Sequence, residues 1–224
     1  MPLTGKAIVY AAEVSALSVP LSLDAVSPAR REKIEKIKPE AEKKLSLGAE
    51  MLLRYGLENA GFNRYPPELS YNEHGKPYLK DGGIFFSISH SGSFAVCAVS
   101  DCDLGCDIEK MRPTGLRIAR RFCEEEYGSI MSAKPTAQLE LLFRYWTLKE
   151  SFMKAVGRGF SLGLNEFRIV ADDEISVIQS VDERRFSFKE FDEIAGYRCA
   201  VCMADVQCDA ELKIVDLNSG VGVK

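Results

Sequence analysis

The chain has 224 residues, of which 46% are hydrophobic and 28% are charged, and its formal net charge is −4. This balance is typical of a globular protein with one large domain or two small ones, and it argues against a nucleic-acid-binding protein, which is usually basic. No apolar run approaches the roughly 20 residues that cross a bilayer, and the N-terminus lacks the features of a secretion signal. We therefore expect a cytoplasmic protein with neither a nucleic-acid nor a membrane partner.

The first half begins with a strand and a charged helical segment. KAIVYAAEV indicates the strand, and the helical stretch runs from Ser27 to about Leu57. Ser27 and Pro28 are suited to the cap and first turn of this helix, and Pro39 should break or kink it. Short strands separated by turns are then predicted in PELSYNEHGKPYL, FFSISHSG, FAVCAVSD and CDIEK.

The second half repeats this order loosely. A helix is predicted around GLRIARRFCEEEYGSIM, followed by a long helix over TAQLELLFRYWTLKESFMKAVG that Gly157 should end. Strands follow in EFRIVAD, EISVIQ, RRFSFKEF, YRCAVCMA and ELKIVDL. Because the connections between these strands are short, we expect antiparallel pairing.

These patterns predict an α+β protein of two similar halves, each an antiparallel sheet packed with helices. The order of elements changes near Asp101–Leu104, which divides the chain into residues 1–103 and 104–224. A functional site is favoured at the junction of two such units.

The cysteines and histidines limit the metal chemistry. The seven cysteines lie in hydrophobic surroundings such as AVCAVSDC, which is typical of buried reduced thiols. Cys199 and Cys202 have a CxxC spacing, but positions three apart in a strand point to opposite faces. With only two histidines in the chain, we expect no structural zinc site.

Two carboxylates stand two positions apart in the apolar segment LGCDIEK. In a strand, Asp107 and Glu109 point to the same face, where like charges repel. Charges of this kind guard an exposed sheet edge, or they hold a cation between them.

The long helix supplies a third carboxylate in an unusual place. At about 100° per residue, Glu150 falls in the middle of the apolar stripe. It could form an ordinary helical pair with Lys154, four residues on. One divalent cation would instead satisfy Glu150 together with the strand pair, and a set of three carboxylates suits Mg²⁺ or Mn²⁺. Because Mg²⁺ usually also binds phosphate oxygens, this interpretation predicts a phosphate-bearing substrate.

Several polar segments could hold that phosphate. His90 lies in a turn rich in hydroxyls and glycine, FSISHSGSF, where backbone N–H groups can approach an anion. The segment from Arg30 to Lys44 has an excess of bases, which is either a solvated face or a remote phosphate contact. Gly75-Lys76-Pro77 alone indicates no more than a surface turn.

Two of these segments resemble motifs of the Sfp-type 4′-phosphopantetheinyl transferases. Gly105–Glu109 resembles the family pattern G-x-D-x-E, and Trp146–Lys154 resembles W-x-x-K-E-[AS]-x-x-K. The separation of the motifs is about that of the family, and the resemblance extends to GKP, FSISHSG and SPARREK. It covers most of the chain.

The resemblance implies two α/β halves related by pseudo-two-fold symmetry, with coenzyme A and Mg²⁺ bound between them. It implies that the metal ligands are Asp107, Glu109 and Glu150. The implied coenzyme A contacts are Arg30, Lys33, Lys76, Ser89, His90, Lys149 and Lys154. Among these, the bases at Arg30 and Lys33 correspond to positions near the 3′-phosphate, and Lys149 more plausibly orders the site than accepts a proton.

The implied reaction transfers the phosphopantetheine arm of coenzyme A to a serine of an apo acyl, aryl or peptidyl carrier protein, releasing 3′,5′-ADP, with the enzyme acting as a monomer. Glu150 is the first choice as proton acceptor and Glu109 the second, while Lys154 and His90 support the diphosphate. Arg117, Arg120 and Arg121 are spaced i, i+3 and i+4, which puts them on one face of the predicted helix. That face either meets an acidic carrier or is solvated. The residues alone also allow a Mg²⁺-dependent hydrolase or a binding module without catalysis.

Overall fold

A computed structural model describes residues 3–19, 23 and 26–218 of the protein. Within them the α-helices are α1 (Pro28–Glu35), α2 (Glu40–Asn59), α3 (Glu124–Ser132) and α4 (Pro135–Val156). The strands are β1 (Lys6–Glu13), β2 (Leu69–Tyr71), β3 (Pro77–Leu79), β4 (Phe85–Ser91), β5 (Phe94–Ser100), β6 (Leu104–Lys110), β7 (Arg168–Ala171), β8 (Ile175–Ile178), β9 (Phe186–Phe191), β10 (Tyr197–Ala204) and β11 (Asp209–Ile214). Short 3₁₀ helices span Leu116–Arg121 and Gly159–Ser161. None of the helices in these residues is long and apolar enough to cross a membrane.

The strands form two main sheets and confirm an α+β fold. The first sheet has the order β11-β1-β5-β4, and the second has the order β6-β10-β9 with antiparallel pairing throughout. Two small hairpins, β2–β3 and β7–β8, stand beside them.

The last strand corrects the expected pairing. β11 leaves the second half of the chain and lies parallel to β1, with Asp209 opposite Lys6. The prediction of antiparallel pairing within the second half is therefore wrong for this strand. The buried Ala210 of β11, and Cys208 just before the strand, join the same apolar cluster as Val9 and Ala11 of β1. The pairing of β11 with β1 therefore adds to the core.

The two sheets pack on each other, each with a helix on its outer face. Alternate residues of β1, β5, β6 and β10 form one shared core, exemplified by Val9, Val96, Cys106 and Val201. The intervening residues of β1 and β5 pack under α2, and those of β10 pack under α4. This α-β-β-α layering follows from the period-two alternation of strands.

Two predicted helices are each divided. The helical stretch from Ser27 breaks before Pro39 into α1 and α2, and the Ser27 hydroxyl accepts the backbone N–H of Arg30 at 3.2 Å. The helix predicted around GLRIARRF is a 3₁₀ helix followed by α3. At about 120° per residue, Arg117 and Arg120 share a face but Arg121 does not, so the expected single arginine face is wrong. α4 ends where predicted, at Gly157, whose φ is +80°.

Candidate active site

A glycine in β6 lets this strand lie in contact with the long helix α4. A Cβ atom on Gly105 would lie 2.1 Å from the Ser151 carbonyl oxygen and 2.4 Å from the Ala155 nitrogen. No side chain fits there, so glycine is required for β6 to lie directly against α4. The next alternate residues of β6, Asp107 and Glu109, share the face of Gly105 as predicted.

Lys154 and Ser89 hold one oxygen of Asp107. The Lys154 ammonium donates to Asp107 Oδ1 at 2.7 Å, to Ser89 Oγ at 2.9 Å and to the Cys106 carbonyl at 3.0 Å. Ser89 in turn donates to the same Asp107 oxygen at 2.6 Å. Burial alone would lower the pKa of Lys154, but attraction to Asp107 and its neighbours raises it overall. Lys154 is therefore a stably charged group of the site.

Glu150 is a buried carboxyl group without a bond of its own. Its side chain is 8% exposed, and its pKa is raised to about 7 by burial first and then by repulsion from Asp107 and Glu109, against the opposing effect of Lys154. Glu150 Oε1 and Asp107 Oδ2 are both buried and lack a hydrogen-bond partner. Anionic oxygens left in this state favour a cation between them.

Serines of β4 connect the two sheets at this point. Ser91 donates to Glu109 Oε2 at 2.6 Å, and Ser87 Oγ accepts the Cys106 N–H at 3.0 Å. With Ser89, they form a row at alternate positions of one strand. Burial raises the pKa of Glu109 while the Ser91 bond lowers it. Asp107 and Glu109 of the second half are thus positioned by serines of the first half.

The predicted phosphate contacts of the first half lie on α1 and β4. His90 is exposed, yet its pKa is lowered, first by lost hydration and then by the positive charges of Lys154 and Arg30, while Glu42 raises it. Arg30 Nε is buried without a hydrogen-bond partner, 3.4 Å from the nearest oxygen of Glu50. Lys33 is exposed on α1. Lys154 therefore acts on His90 from the second half, and Arg30 acts on it from within the first half.

Lys76 is held by bonds within the protein, and its contact with coenzyme A stays a prediction. Its ammonium is 2.6 Å from Asp103 Oδ1 and also donates to the Leu104 and Ala155 carbonyls, at 3.2 and 3.1 Å. The β2–β3 hairpin is thereby tied to the end of α4. Lys76 also lines a cavity of about 230 Å³. The other residues of its wall are Gly75, Pro77, Phe86, Ser87, Ile88, Lys154, Gly157 and Gly159.

The expected contact between Lys149 and coenzyme A is wrong. The side chain is 0% exposed, and its ammonium lies 2.8 Å from Glu126 Oε1, among the side chains beneath α4. Burial lowers its pKa, and Glu126 partly restores it. Because its ammonium is buried and bound to Glu126, Lys149 cannot reach a ligand beside Glu150.

A second cavity, of about 250 Å³, has the carboxylate residue Glu109 in its wall. It is lined by Glu109, Arg112, Thr114, Ile118, Leu142, Phe143 and Trp146. Leu142, Phe143 and Trp146 of α4 are apolar residues on the stripe that also carries Glu150, and that stripe could have indicated this cavity.

Sequence reasoning predicted the turn between β4 and β5 but missed its contact with the second sheet. The Tyr197 hydroxyl of β10 accepts the Ser93 N–H at 2.9 Å. A Cβ atom on Gly92, whose φ is +62°, would lie 2.5 Å from that hydroxyl. The turn that follows His90 is therefore fitted closely to the second sheet.

The carboxylates do not form a complete metal cage. Within the part of the chain that the structure describes, no three His, Cys, Asp or Glu side chains are arranged to hold a metal ion on their own. The unpartnered oxygens of Asp107 and Glu150 nevertheless form a hard-oxygen donor set that suits Mg²⁺ with water and substrate oxygens completing its shell.

Comparison with known proteins finds relatives that share one activity in their names. Residues 103–202 match the family model of the 4′-phosphopantetheinyl transferase superfamily. The chain is 35% identical to a 4′-phosphopantetheinyl transferase of Bacillus subtilis, over 80% of this chain and 83% of that protein. It is 30% identical to the 4′-phosphopantetheinyl transferase Sfp of Bacillus subtilis strain 168, over 85% and 87%. A holo-(acyl-carrier-protein) synthase from Bacillus anthracis, solved with coenzyme A (3′,5′-ADP), matches 46% of this chain and 95% of its own, at 18% identity and a TM-score of 0.40.

Proposed function

The chain belongs to the 4′-phosphopantetheinyl transferase superfamily, and we propose that its inter-sheet cleft transfers the phosphopantetheine arm of coenzyme A to a serine of an apo carrier protein, releasing 3′,5′-ADP. The observation that carries the proposal lies where β6 touches α4: Lys154 pairs with Asp107 at 2.7 Å, and the buried Glu150 feels the charges of Asp107, Lys154 and Glu109. This cluster combines a place for a cation with an ammonium group, as transfer from a diphosphate requires.

Mg²⁺ is the proposed cofactor, with Mn²⁺ as a substitute, and Asp107, Glu109 and Glu150 are its proposed ligands. When bound, the ion neutralises charge on the diphosphate of coenzyme A. The support is the pair of buried oxygens without partners, together with the pKa of Glu150, which is raised first by burial and then by the negative charges of Asp107 and Glu109.

The chain's own residues have distinct roles in this proposal. The serine oxygen of the carrier forms a bond to the phosphorus next to pantetheine, and the bond from that phosphorus to the oxygen of 3′,5′-ADP breaks. Glu150 accepts the serine proton, and Glu109 is the second choice. Lys154, with His90, stabilises the charge of the leaving phosphate.

The two cavities flank this cluster and divide coenzyme A between them. We place the nucleotide in the cavity of Phe86, Ile88 and Lys76, with the bases Arg30 and Lys33 toward the 3′-phosphate. The pantetheine arm then lies in the apolar cavity of Phe143 and Trp146, next to Glu109. Each cavity reaches one charged residue of the cluster, Lys154 or Glu109, so the diphosphate falls between them.

The partners and setting follow from the same arrangement. We propose a monomer, because both walls of the cleft come from one chain. The exposed Arg117 and Arg120 are available to an acidic carrier. Seven unpaired cysteines favour a reducing compartment such as the cytoplasm.

Mass spectrometry of an apo carrier incubated with the protein, coenzyme A and Mg²⁺ tests the proposal. We expect the carrier to gain one phosphopantetheine, and comparison of fatty-acid, polyketide and nonribosomal-peptide carriers identifies the preferred class. Glu150→Gln should abolish transfer while coenzyme A binding falls much less, and Mg²⁺ should raise the melting temperature of the wild type but not of this variant. Release of 3′,5′-ADP without a carrier would indicate a hydrolase, and binding without reaction would indicate a module without catalysis; either result contradicts the proposal.

A further inference from the structure

The position of Glu150 is not set by bonds of its own. Asp107 is held by Ser89 and Lys154, and Glu109 is held by Ser91. Among the described residues, by contrast, no hydrogen bond or ion pair involves Glu150, although it is 8% exposed. The direction of its carboxylate must therefore come from the rotation of α4 about its axis.

The residue before it on α4 is anchored completely. Lys149 donates to the Leu164 carbonyl at 2.8 Å and to the Phe167 carbonyl at 2.9 Å, and its third contact is Glu126 Oε1 at 2.8 Å. Three acceptors match the three protons of an ammonium group. The charge also lies 4.1 Å from the centre of the Phe167 ring. No donor of this buried group is left for a ligand.

The acceptor of this lysine is anchored as well. Glu126 is 1% exposed and accepts the backbone N–H of Ile169 at 2.7 Å and that of Cys123 at 3.2 Å. The ion pair thus joins α4 to the start of α3 and to the segment 164–169. Neighbouring residues of a helix differ in direction by about 100° around its axis. The bonds of Lys149 therefore fix the rotation of α4 and with it the direction in which Glu150 leaves the helix.

We propose that Lys149, through Glu126, is a positioning residue for Glu150. This inference rests on the proposed function, because it concerns the same carboxylate. It gives the lysine of the W-x-x-K-E motif a role that needs no contact with coenzyme A. Packing of α4 alone is the competing explanation, and it predicts that the lysine contributes to stability without affecting the chemical step.

The test compares Lys149→Met with Arg144→Met. Arg144 lies on the same helix and has similar bonds, since it pairs with Glu190 at 2.8 Å and donates to the Ala171 carbonyl at 2.9 Å. We expect Lys149→Met to lower kcat by roughly 10- to 100-fold, as small misplacements of a reacting group do. The KM for coenzyme A should change less than about twofold, because Lys149 lines neither of the two cavities in which we place coenzyme A. Arg144→Met should leave kcat within about twofold of the wild type.

A readout apart from turnover uses the ion itself. The Mg²⁺ concentration that gives half of the maximal thermal shift should rise for Lys149→Met and stay unchanged for Arg144→Met. Where the single variant does not fold, Lys149→Met with Glu126→Gln replaces it, because the double variant leaves no unpaired buried charge.

Equal kcat values for the lysine and arginine variants at matched urea stability would overturn the inference, as would a wild-type kcat in the double variant. Failure of the proposed function is distinguishable, because the wild type and Arg144→Met would then also transfer nothing to the carrier.

Discussion

At the scale of single residues, Glu150 predicts an unusual dependence of stability on pH. Its pKa is about 7 in the folded chain against an ordinary value of 4.5. Between these values the unfolded chain releases the proton and the folded chain keeps it, so the free energy of unfolding falls as pH rises. Above both values the loss is of the order of 3 kcal/mol.

Glu150→Gln removes this ionisation. In metal-free buffer containing a chelator, we expect the variant to unfold at a higher urea concentration than the wild type at about pH 8, with a much smaller difference at about pH 5. The exposed Glu174→Gln serves as the control and should show no such dependence. A constant difference between Glu150→Gln and the wild type at both pH values would contradict the prediction.

The same residues show how far sequence can identify a site. Glu150 was identifiable because a carboxylate on an apolar stripe demands an explanation. Lys149, one position away, was misassigned because its partner Glu126 lies on another helix, and periodicity along one helix says nothing about what packs against it. The Ser91 bond to Glu109 was missed for the same reason, since it joins two strands that are not paired in one sheet.

At the scale of elements, the contact of β6 with α4 depends on one glycine. Gly105→Ala would place a methyl group on the backbone of α4, which cannot yield as a flexible side chain can. We expect a loss of roughly 1–3 kcal/mol in the free energy of unfolding, measured with urea, because overpacking of this kind forces backbone shifts. Transfer activity should fall with it, since Glu150 moves away from Asp107.

Gly115→Ala is the matched control, because a Cβ atom there meets nothing within 4 Å. It should leave stability and transfer close to those of the wild type. If Gly105→Ala behaved like this control, the close approach of strand and helix would not be needed.

Local signals predicted most elements but not their partners. Gly157 marks the end of α4 and Pro39 precedes α2, because both residues act on the backbone where they stand. The pairing of β11 with β1 joins opposite ends of the described chain, and no turn or spacing indicates it. Periodicity likewise did not distinguish a 3₁₀ helix at Leu116–Arg121 from an α-helix, because an arginine spacing of three suits both.

At the scale of the whole molecule, the two sheets share one apolar core, and this predicts that they unfold together. Val9 and Val96 of the first sheet pack in the same cluster as Cys106 and Val201 of the second. Separation of the halves would expose that core, so neither sheet is expected to persist alone. Urea unfolding followed by far-UV circular dichroism and by Trp146 fluorescence should give coincident transitions. Two separated transitions would contradict the prediction.

Tyr197→Phe tests the same coupling at the catalytic end of the cleft. The substitution keeps the ring against Phe94, at 5.1 Å between centroids, and removes only the hydroxyl that accepts the Ser93 N–H. We expect a loss of roughly 1–2 kcal/mol in the free energy of unfolding, because the hydroxyl bonds both the N–H and the Oγ of Ser93 across the sheets. Both probes should report this loss, because the transition remains single. Tyr78→Phe, on an exposed tyrosine, is the control and should leave both curves in place. A shift of the circular dichroism curve without a shift of the fluorescence curve would mean that the β4–β5 turn stabilises the first sheet alone. In that case the junction that holds Asp107 and Glu109 would not unfold cooperatively with the rest of the fold.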